Sequence, residues 1–363
     1  LRPALGAYGD ELALTPHLDA LARAAGTTLF TRAYCQVAWC APSRNSLLSG
    51  RAPMQTRSYA FHRHFREAPG AGSWLSLPQY FRERAGYYAT SVGKVFHPNL
   101  PPNFDQPYSW SDEPIMPIKP LCPNNTMACE YDDSDAVTRA TFDVDARTTK
   151  IALERVSSWR SGAEAPPPLF LAVGYQAPRL PWSYSSSIAR RYPPATSFPQ
   201  LHYPVDTAPD APLEWFRQNE INMYNGINVT YDRPMPTQQQ QRLWRAYYAT
   251  VSKVDDEVGR LLSGLEESGV NANNTIFAFI ADHGQALGER NLWSMMSLLE
   301  TSHRVPFILR EPTKSKQARS KMCTEPVELT DIYPTLLAAA GVPLDDDQHV
   351  AGGDARSCGG GGG

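Results

Sequence analysis

A long amphipathic helix followed by an unbroken apolar strand constrains the fold of this chain more than any other feature. Between residues 238 and 265, apolar side chains recur at intervals of three and four, which predicts one helix with a single buried face. Residues 275–281 then form a continuous apolar run that is typical of a buried strand. Helices that alternate with such strands indicate an α/β fold with a largely parallel sheet.

Further helices and strands alternate along the rest of the chain. Capping residues and apolar spacing predict the helices, and short apolar runs predict the strands. The sheet is expected to carry helices on both faces and to bind ligands at the carboxyl ends of its strands. Asp255 and Asp256 are expected on the solvent side of the long helix. The other predicted helices are 16–25, 40–50, 77–84, 144–159 and 329–340, and the other predicted strands are 88–92, 169–173 and 305–309.

Composition excludes several classes of protein. The 363 residues are 42% apolar and 20% charged, which predicts a sizeable buried core rather than a disordered chain. A formal net charge of -3 argues against nucleic acid as a partner. No apolar run approaches the roughly 18–20 residues of a membrane span.

The six cysteines bear on the cellular compartment. None forms a C-x-x-C pair, so a structural zinc site is not expected. Cys122 and Cys129 flank a short loop that a disulfide could close, and N-x-S/T sequons occur at Asn124, Asn228 and Asn273. Together these features favour a secretory or lysosomal route. The alternative is a cytosolic protein with reduced thiols.

A stretch without acidic residues contains Cys40, the cysteine whose surroundings most favour a reactive thiol. From Ala20 to Arg66 there are seven arginines and no aspartate or glutamate, which suits an anionic ligand. Within it, Cys40 stands at the entry to a predicted helix, and Arg44 lies one turn further on. A thiol at a helix N-terminus beside an arginine ionises easily. The alternatives are a small buried apolar residue for Cys40 and scattered surface ion pairs for the arginines.

Two further pairs of polar residues follow predicted strands. Asp282 and His283 come directly after the strand at 275–281 and offer one oxygen and one nitrogen ligand for a metal. Lys94 and His97 follow the strand at 88–92 and could grip an anion and donate a proton. An ordinary turn and a surface pair are the alternatives.

These segments together resemble the sulfatase family. C-A-P-S-R at 40–44 followed by L-L-S-G-R at 47–51 is similar to the sulfatase signature. S-V-G-K-V-F-H-P at 91–98, D-H-G-x-A-L-G-E at 282–289 and H-x-V-P at 303–306 continue the resemblance. It extends from Leu1 to about Gly341, and the segment at 91–98 is typical of one subgroup.

The resemblance implies an alkaline-phosphatase-like α/β fold with a central, mostly parallel mixed sheet. It implies a Ca²⁺-dependent hydrolase acting on sulfated carbohydrates, in which the formylglycine-generating enzyme converts Cys40 to formylglycine. The hydrated aldehyde would attack sulfur, and its second hydroxyl would expel sulfate. Arg44 would hold the formylglycine, while Lys94 and His97 would bind sulfate and assist proton transfer. The implied site residues are Cys40, Arg44, Lys94 and His97 for catalysis, Lys94, His97 and Gln176 for substrate binding, and Asp282, His283 and Cys40 for the metal.

Three departures from the family pattern are evident. The first strand of the family, which ends in two aspartates, would precede Leu1 and is not in this sequence. Gln176 stands where the family has a catalytic histidine, and glutamine cannot carry a proton at neutral pH. Met295 stands where a sulfate-binding lysine is expected. The resemblance therefore predicts an incomplete sulfatase domain over 1–345, without the C-terminal subdomain, and a glycine-rich tail over 346–363.

Two alternatives remain open at this point. Gln176 and Met295 both remove charge from the site, which favours a catalytically impaired homologue that binds sulfated glycans without turnover. The other alternative is a phosphomonoesterase or phosphodiesterase on the same scaffold. It is disfavoured because such enzymes use serine or threonine as the nucleophile, whereas Cys40 in C-x-P-S-R calls for formylglycine.

Overall fold

A mixed sheet and two parallel strand pairs form the framework of the protein. The computed structural model describes residues 1–199, 201, 220–230, 233–313 and 318–358. The helices are α1 Pro16–Arg23, α2 Cys40–Ser49, α3 Pro53–Thr56, α4 Leu77–Ala85, α5 Ala136–Phe142, α6 Val144–Ser161, α7 Ser186–Ala189, α8 Thr237–Glu267, α9 Glu300–His303 and α10 Ile332–Ala339. The strands are β1 Thr27–Tyr34, β2 Tyr88–Gly93, β3 Ala128–Tyr131, β4 Leu169–Gly174, β5 Trp182–Ser185, β6 Phe277–Ile280, β7 Arg304–Arg310, β8 Lys321–Cys323 and β9 Val327–Glu328.

The largest sheet has the strand order β6-β7-β1-β8, and β9 also pairs with β1. Strand β7 runs antiparallel to both of its neighbours, β1 and β6, while β8 and β9 run parallel to β1. The pairs β2–β4 and β3–β5 are also parallel. The expected mixed α/β architecture is therefore confirmed, although the longest pairings of the main sheet are antiparallel.

The helices cover these strands as the apolar spacing predicts. Helices α4 and α6 both contact the β2–β4 pair, and α1 contacts β1 and β7. Helix α8 runs through the main apolar cluster, where Tyr247 and Val251 are fully buried. The predicted helices at 16–25, 40–50, 77–84, 144–159 and 238–265 are all present within a few residues of the expected ends.

Two strands that were expected to be buried are half-exposed. Strand β4 has intermediate burial throughout, and β6 has an exposed Ala278 between half-buried neighbours. Among the described residues each of these strands pairs on one side only, β4 with β2 and β6 with β7. An edge strand retains solvent contact even when its sequence is continuously apolar.

The C-terminal region packs more extensively than the predicted boundary at residue 345 implies. Gln348 and Ala355 are buried, and Cys358 forms a disulfide with Cys323 of β8. Residues 346–358 therefore belong to the packed structure rather than to a tail, and the glycine run at 359–363 lies outside the described residues. The disulfide between Cys122 and Cys129 is present as predicted. No helix in the described part of the chain has the length and apolarity needed to cross a membrane.

Candidate active site

One cavity lies where α2 begins and where β2, β4 and β6 end. The residues that line it come from all four elements, which brings together most of the residues singled out in the sequence. The lining residues are Leu1, Cys40, Arg44, Lys94, Tyr175, Gln176, Ala177, Pro178, Arg179, Asp282, His283, Gly284 and Gln285. The backbone nitrogen of Leu1 donates a hydrogen bond to the carbonyl oxygen of His283 (2.7 Å).

Cys40 is the first residue of α2 and is 1% exposed. Its Sγ lies 3.1 Å from His283 Nε2 and 3.5 Å from Lys94 Nζ. Burial raises the pKa of this thiol, but Lys94 and His283 outweigh burial and bring the pKa down to about 6. Burial raises the pKa of the other free thiol, Cys35, far above its usual range. The reactive character predicted for Cys40 therefore has a physical basis in its neighbours.

Asp282 is held ionised by the cations around it. Arg44 donates from Nε to Asp282 Oδ2 (2.8 Å), and Arg44 Nη1 donates to the carbonyl oxygens of Lys94 and Val95. Burial raises the pKa of Asp282, but Arg44 and His283 outweigh burial and hold it well below its usual range. Arg44 thus lines the expected cavity, yet it contacts Asp282 and the loop after β2 rather than Cys40.

The imidazole of His283 faces Cys40 with a defined nitrogen. Its Nδ1 lies 2.8 Å from the carbonyl oxygen of Gly284, which can only accept a hydrogen bond, so Nδ1 carries the proton. Nε2 then faces Cys40 Sγ and lies 3.5 Å from Asp282 Oδ2. We refer to Cys40, Arg44, Asp282 and His283 as the Cys40 wall.

Two glycines allow Lys94 to reach the cavity. Gly93 has φ 82°, and the backbone N–H of Lys94 donates to the carbonyl oxygen of Gly174 (2.7 Å). A Cβ on Gly174 would lie 2.2 Å from the carbonyl group of Lys94, so only glycine fits this close approach. The ends of β2 and β4 are therefore joined so that Lys94 is buried beside Cys40.

His97 is not among the residues that line the cavity. Its ring stacks on Phe61 with a centroid distance of 4.6 Å, and Phe61 in turn contacts Trp39, the residue before Cys40. Burial, and then the positive charge of Lys94, lower the pKa of His97 to about 4, so the ring is neutral at neutral pH. Because Nδ1 contacts the carbonyl oxygen of Pro98 (3.0 Å), Nε2 is the nitrogen with the free lone pair.

A second group of residues, of which Gln176 and Arg179 line the cavity, carries the sequence departures. Gln176 lines the cavity, but its amide nitrogen donates to the carbonyl oxygen of Pro117 (2.6 Å). Arg179 forms an ion pair with Glu220 through Nη1, and the same nitrogen lies 3.7 Å from the sulfur of the buried Met295. We refer to Gln176, Arg179, Glu220 and Met295 as the Arg179 wall.

Sequence reasoning missed the residues that hold the Arg179 wall in place. The carboxylate of Asp145, 3% exposed, accepts the backbone N–H groups of Gln176 (2.7 Å) and Ala177 (3.1 Å). Lys119 donates to the carbonyl oxygen of Arg179. Asp145 lies in the first turn of α6 and Lys119 in a loop, and neither position has a local signal that would associate it with the cavity.

Cys40, Asp282 and His283 form a group that could hold a metal ion, because their donor atoms lie within 4.8 Å of one another. The group matches the predicted metal ligands. Calcium prefers six to eight oxygen ligands, and this group supplies a single carboxylate together with a nitrogen and a sulfur. Arg44 also occupies one oxygen of that carboxylate. These donors by themselves do not fit Ca²⁺.

Comparison with known proteins agrees with this geometry. The Sulfatase family model matches residues 2–342, and the chain belongs to the sulfatase family of hydrolases. It is similar to iduronate 2-sulfatase from Homo sapiens, with 36% identity over 95% of this chain and 68% of that protein. The mouse iduronate 2-sulfatase is 35% identical over 95% of this chain and 67% of that protein.

The fold has a solved counterpart at lower sequence similarity. The phosphonate monoester hydrolase from Silicibacter pomeroyi superposes with a TM-score of 0.71 and 20% identity, covering 98% of this chain and 74% of that one. This likeness supports the alkaline-phosphatase-like fold expected from the sequence.

Proposed function

We propose that this chain hydrolyses sulfate esters of carbohydrates in the cavity at Cys40, after the formylglycine-generating enzyme has converted that cysteine to formylglycine. The observation that carries the proposal is the placement of Cys40 at the start of α2, with Lys94 Nζ and His283 Nε2 both within 3.5 Å of its sulfur. Similarity to iduronate 2-sulfatase makes a sulfated uronic acid the first substrate to examine.

The residues around position 40 are suited to nucleophilic attack on a sulfate group. The hydrated aldehyde would supply one hydroxyl that displaces the sugar alcohol from sulfur and a second that, on losing its proton, re-forms the aldehyde and releases the sulfate. His283 Nε2 faces this position, and in the neutral form of the ring, with its proton on Nδ1, this nitrogen can accept the proton of the attacking hydroxyl. Lys94 brings a positive charge to the same place, where negative charge develops on the sulfate oxygens.

Calcium has no step in this proposal, because the described donors do not fit the ion. Arg44 neutralises Asp282 and ties it to the loop after β2, so these two residues fix the position of His283 and Lys94 relative to Cys40. His97 lies behind Trp39 and Phe61, and its predicted part in proton transfer remains a prediction.

A second candidate is a homologue that binds sulfated glycans without turnover. It is favoured by Gln176, whose amide cannot act as a general acid or base and whose nitrogen donates a hydrogen bond to the carbonyl oxygen of Pro117. Both candidates fit a protein of the secretory or lysosomal route, which the disulfides Cys122–Cys129 and Cys323–Cys358 support.

The test measures the release of sulfate by the chain after it has been produced together with the formylglycine-generating enzyme. Substrates are 2-O-sulfated iduronate, other sulfated uronic acids, an aryl sulfate, and a phosphate ester of the same alcohol. We expect release from sulfated uronic acids and none from the phosphate ester. Binding of sulfated sugars with confirmed formylglycine and no release of sulfate would establish the second candidate. Phosphate release that exceeds sulfate release would contradict both.

A further inference from the structure

The side chain of Arg179 has donors for which the described part of the chain offers no acceptor. Its Nη1 contacts Glu220 and Met295, and among the described residues Nε and Nη2 have no acceptor. These two nitrogens form one edge of the planar guanidinium, and that edge offers two parallel N–H groups. The side chain is 31% exposed and lines the cavity, so a ligand can reach this edge.

The position of Arg179 is fixed from three directions. Its backbone N–H donates to the carbonyl oxygen of Gln176 (2.9 Å), and its carbonyl oxygen accepts from Lys119. Glu220, whose side chain is 14% exposed, holds the guanidinium through Nη1. An arginine anchored in this way loses little conformational entropy when it binds a ligand.

The charges around the cavity leave Arg179 available to an anion. Arg44 directs Nε and Nη1 to Asp282 and to backbone carbonyl oxygens, and Lys94 lies against Cys40. Burial lowers the pKa of Arg179, but the negative charges of Cys40 and Glu220 outweigh burial and raise it. The guanidinium is thus charged at neutral pH, and it lines the same cavity as Lys94.

We propose that Arg179 binds the sulfate group of the substrate through Nε and Nη2, so that the anion lies between Arg179 and Lys94. In this arrangement Arg179 takes the place of a cation at position 295, since its guanidinium lies against the Met295 sulfur. The inference concerns sulfate binding and rests on the proposed function only where turnover is concerned.

Moving the positive charge from position 179 to position 295 tests this assignment. Titration calorimetry with inorganic sulfate measures affinity in the wild-type chain and in R179Q, R179K and R179Q/M295K. We expect R179Q to weaken sulfate binding about 10- to 100-fold, because two charge-assisted hydrogen bonds are lost. R179Q/M295K is expected to recover most of this affinity, because the new lysine occupies the same wall and can pair with Glu220.

The matched control is R191Q, which removes an arginine that pairs with Asp256 outside the cavity. It should leave sulfate affinity unchanged. R179K keeps the charge and loses the paired donors, and we expect a several-fold loss of affinity. Wild-type affinity in folded R179Q, or in R179K if R179Q does not fold, would overturn the proposal. Failure of R179Q/M295K, when folded, to bind better than R179Q would also overturn it.

Turnover separates this inference from the proposed function. If sulfate binding depends on Arg179 and no ester is hydrolysed, the inference stands and the hydrolase proposal fails. If esters are hydrolysed and R179Q leaves KM unchanged, the hydrolase proposal stands and this inference fails.

Discussion

The two walls of the cavity differ in how many of their polar side-chain groups form hydrogen bonds or ion pairs within the protein. On the Cys40 wall the thiol contacts His283, and Arg44 pairs with Asp282. On the Arg179 wall the arginine has two donors without an acceptor among the described residues, and Met295 is apolar. The Cys40 wall keeps the segments that resemble the sulfatase signature, while the Arg179 wall carries the departures.

This difference teaches that reaction type and substrate recognition are encoded separately in the chain. The Cys40 wall is built from residues at the start of α2 and directly after β6, so its geometry follows from local structure. The Arg179 wall is built from a loop held by Asp145 and Lys119 and from two more distant residues, Glu220 and Met295. Substitutions on that wall can change the ligand without changing the nucleophile.

Removal of the nucleophile should produce the largest effect. This result would assign the chemical step to the Cys40 wall. We expect C40A to lower kcat/KM for a sulfate ester by roughly 10⁴-fold or more, because no other group replaces a covalent nucleophile. Stopped assays for released sulfate measure the loss, and C35A is the control because Cys35 is a buried free thiol that does not line the cavity. Residual activity of C40A within tenfold of wild type would disprove the role of this wall.

Lys94 lies beside Cys40, and its removal should have the next largest effect. K94M keeps the apolar part of the side chain and removes the charge beside Cys40, and we expect kcat to fall about 10²- to 10³-fold. K150M, at an exposed lysine of α6, is the control and should behave as wild type. A rise in KM alone, with kcat unchanged, would assign Lys94 to substrate binding rather than to catalysis.

Asp145 supports the Arg179 wall without lining the cavity. D145N retains one oxygen for the two N–H groups of Gln176 and Ala177, so the loop that carries Arg179 should lose part of its order. We expect KM to rise roughly 10-fold with a smaller change in kcat, and the free energy of unfolding to fall by about 1–3 kcal/mol. Equal losses in kcat and kcat/KM would instead connect Asp145 to the chemical step.

The smallest effect that we predict is a pH dependence of the free energy of unfolding. It arises from a carboxylate near the Arg179 wall and not from Asp282 of the Cys40 wall. Thr149 connects Tyr175, on the Arg179 side, to Glu257, and burial raises the pKa of Glu257 to about 7. From about pH 4.5 to 7 the folded protein binds more protons at Glu257 than the unfolded chain does, so the free energy of unfolding falls as pH rises. Asp282 stays ionised throughout this window because its pKa lies well below it.

E257Q removes the titrating group and should flatten this pH dependence. We expect the difference in unfolding free energy between pH 5 and pH 7 to shrink by about 1–3 kcal/mol relative to wild type. Urea unfolding at the two pH values measures it, with E154Q on the exposed side of α6 as the control. An unchanged difference would show that Glu257 does not titrate in this window.

Most of the Cys40 wall could be predicted from the sequence because its residues follow recognisable elements. Cys40 begins a helix, while Asp282 and Lys94 follow apolar strands, and strand ends meet at one edge of an α/β sheet. Strand β1 was missed because it combines the buried polar residues Thr27 and Thr28 with an exposed Arg32, and its place in the sheet depends on β7 and β8.

The remaining features depend on contacts between residues far apart in the chain. Asp255 was expected to face solvent, and that expectation was wrong. Its carboxylate is fully buried and accepts the backbone N–H groups of His17 (3.1 Å) and Leu18 (2.7 Å) at the start of α1. Helical periodicity cannot reveal a partner more than 230 positions away. The placement of Arg179 beside Met295 has the same origin, since the two residues come from separate loops.

The most direct test of the account is the mass of the peptide that contains Cys40, measured together with sulfate-ester turnover on the same samples. Samples with different degrees of conversion are obtained by varying the level of the formylglycine-generating enzyme during expression. We expect turnover to rise in proportion to the fraction of peptide that carries the aldehyde and to be absent when the thiol is intact. Turnover that does not depend on this fraction, or complete conversion without any turnover, would contradict it.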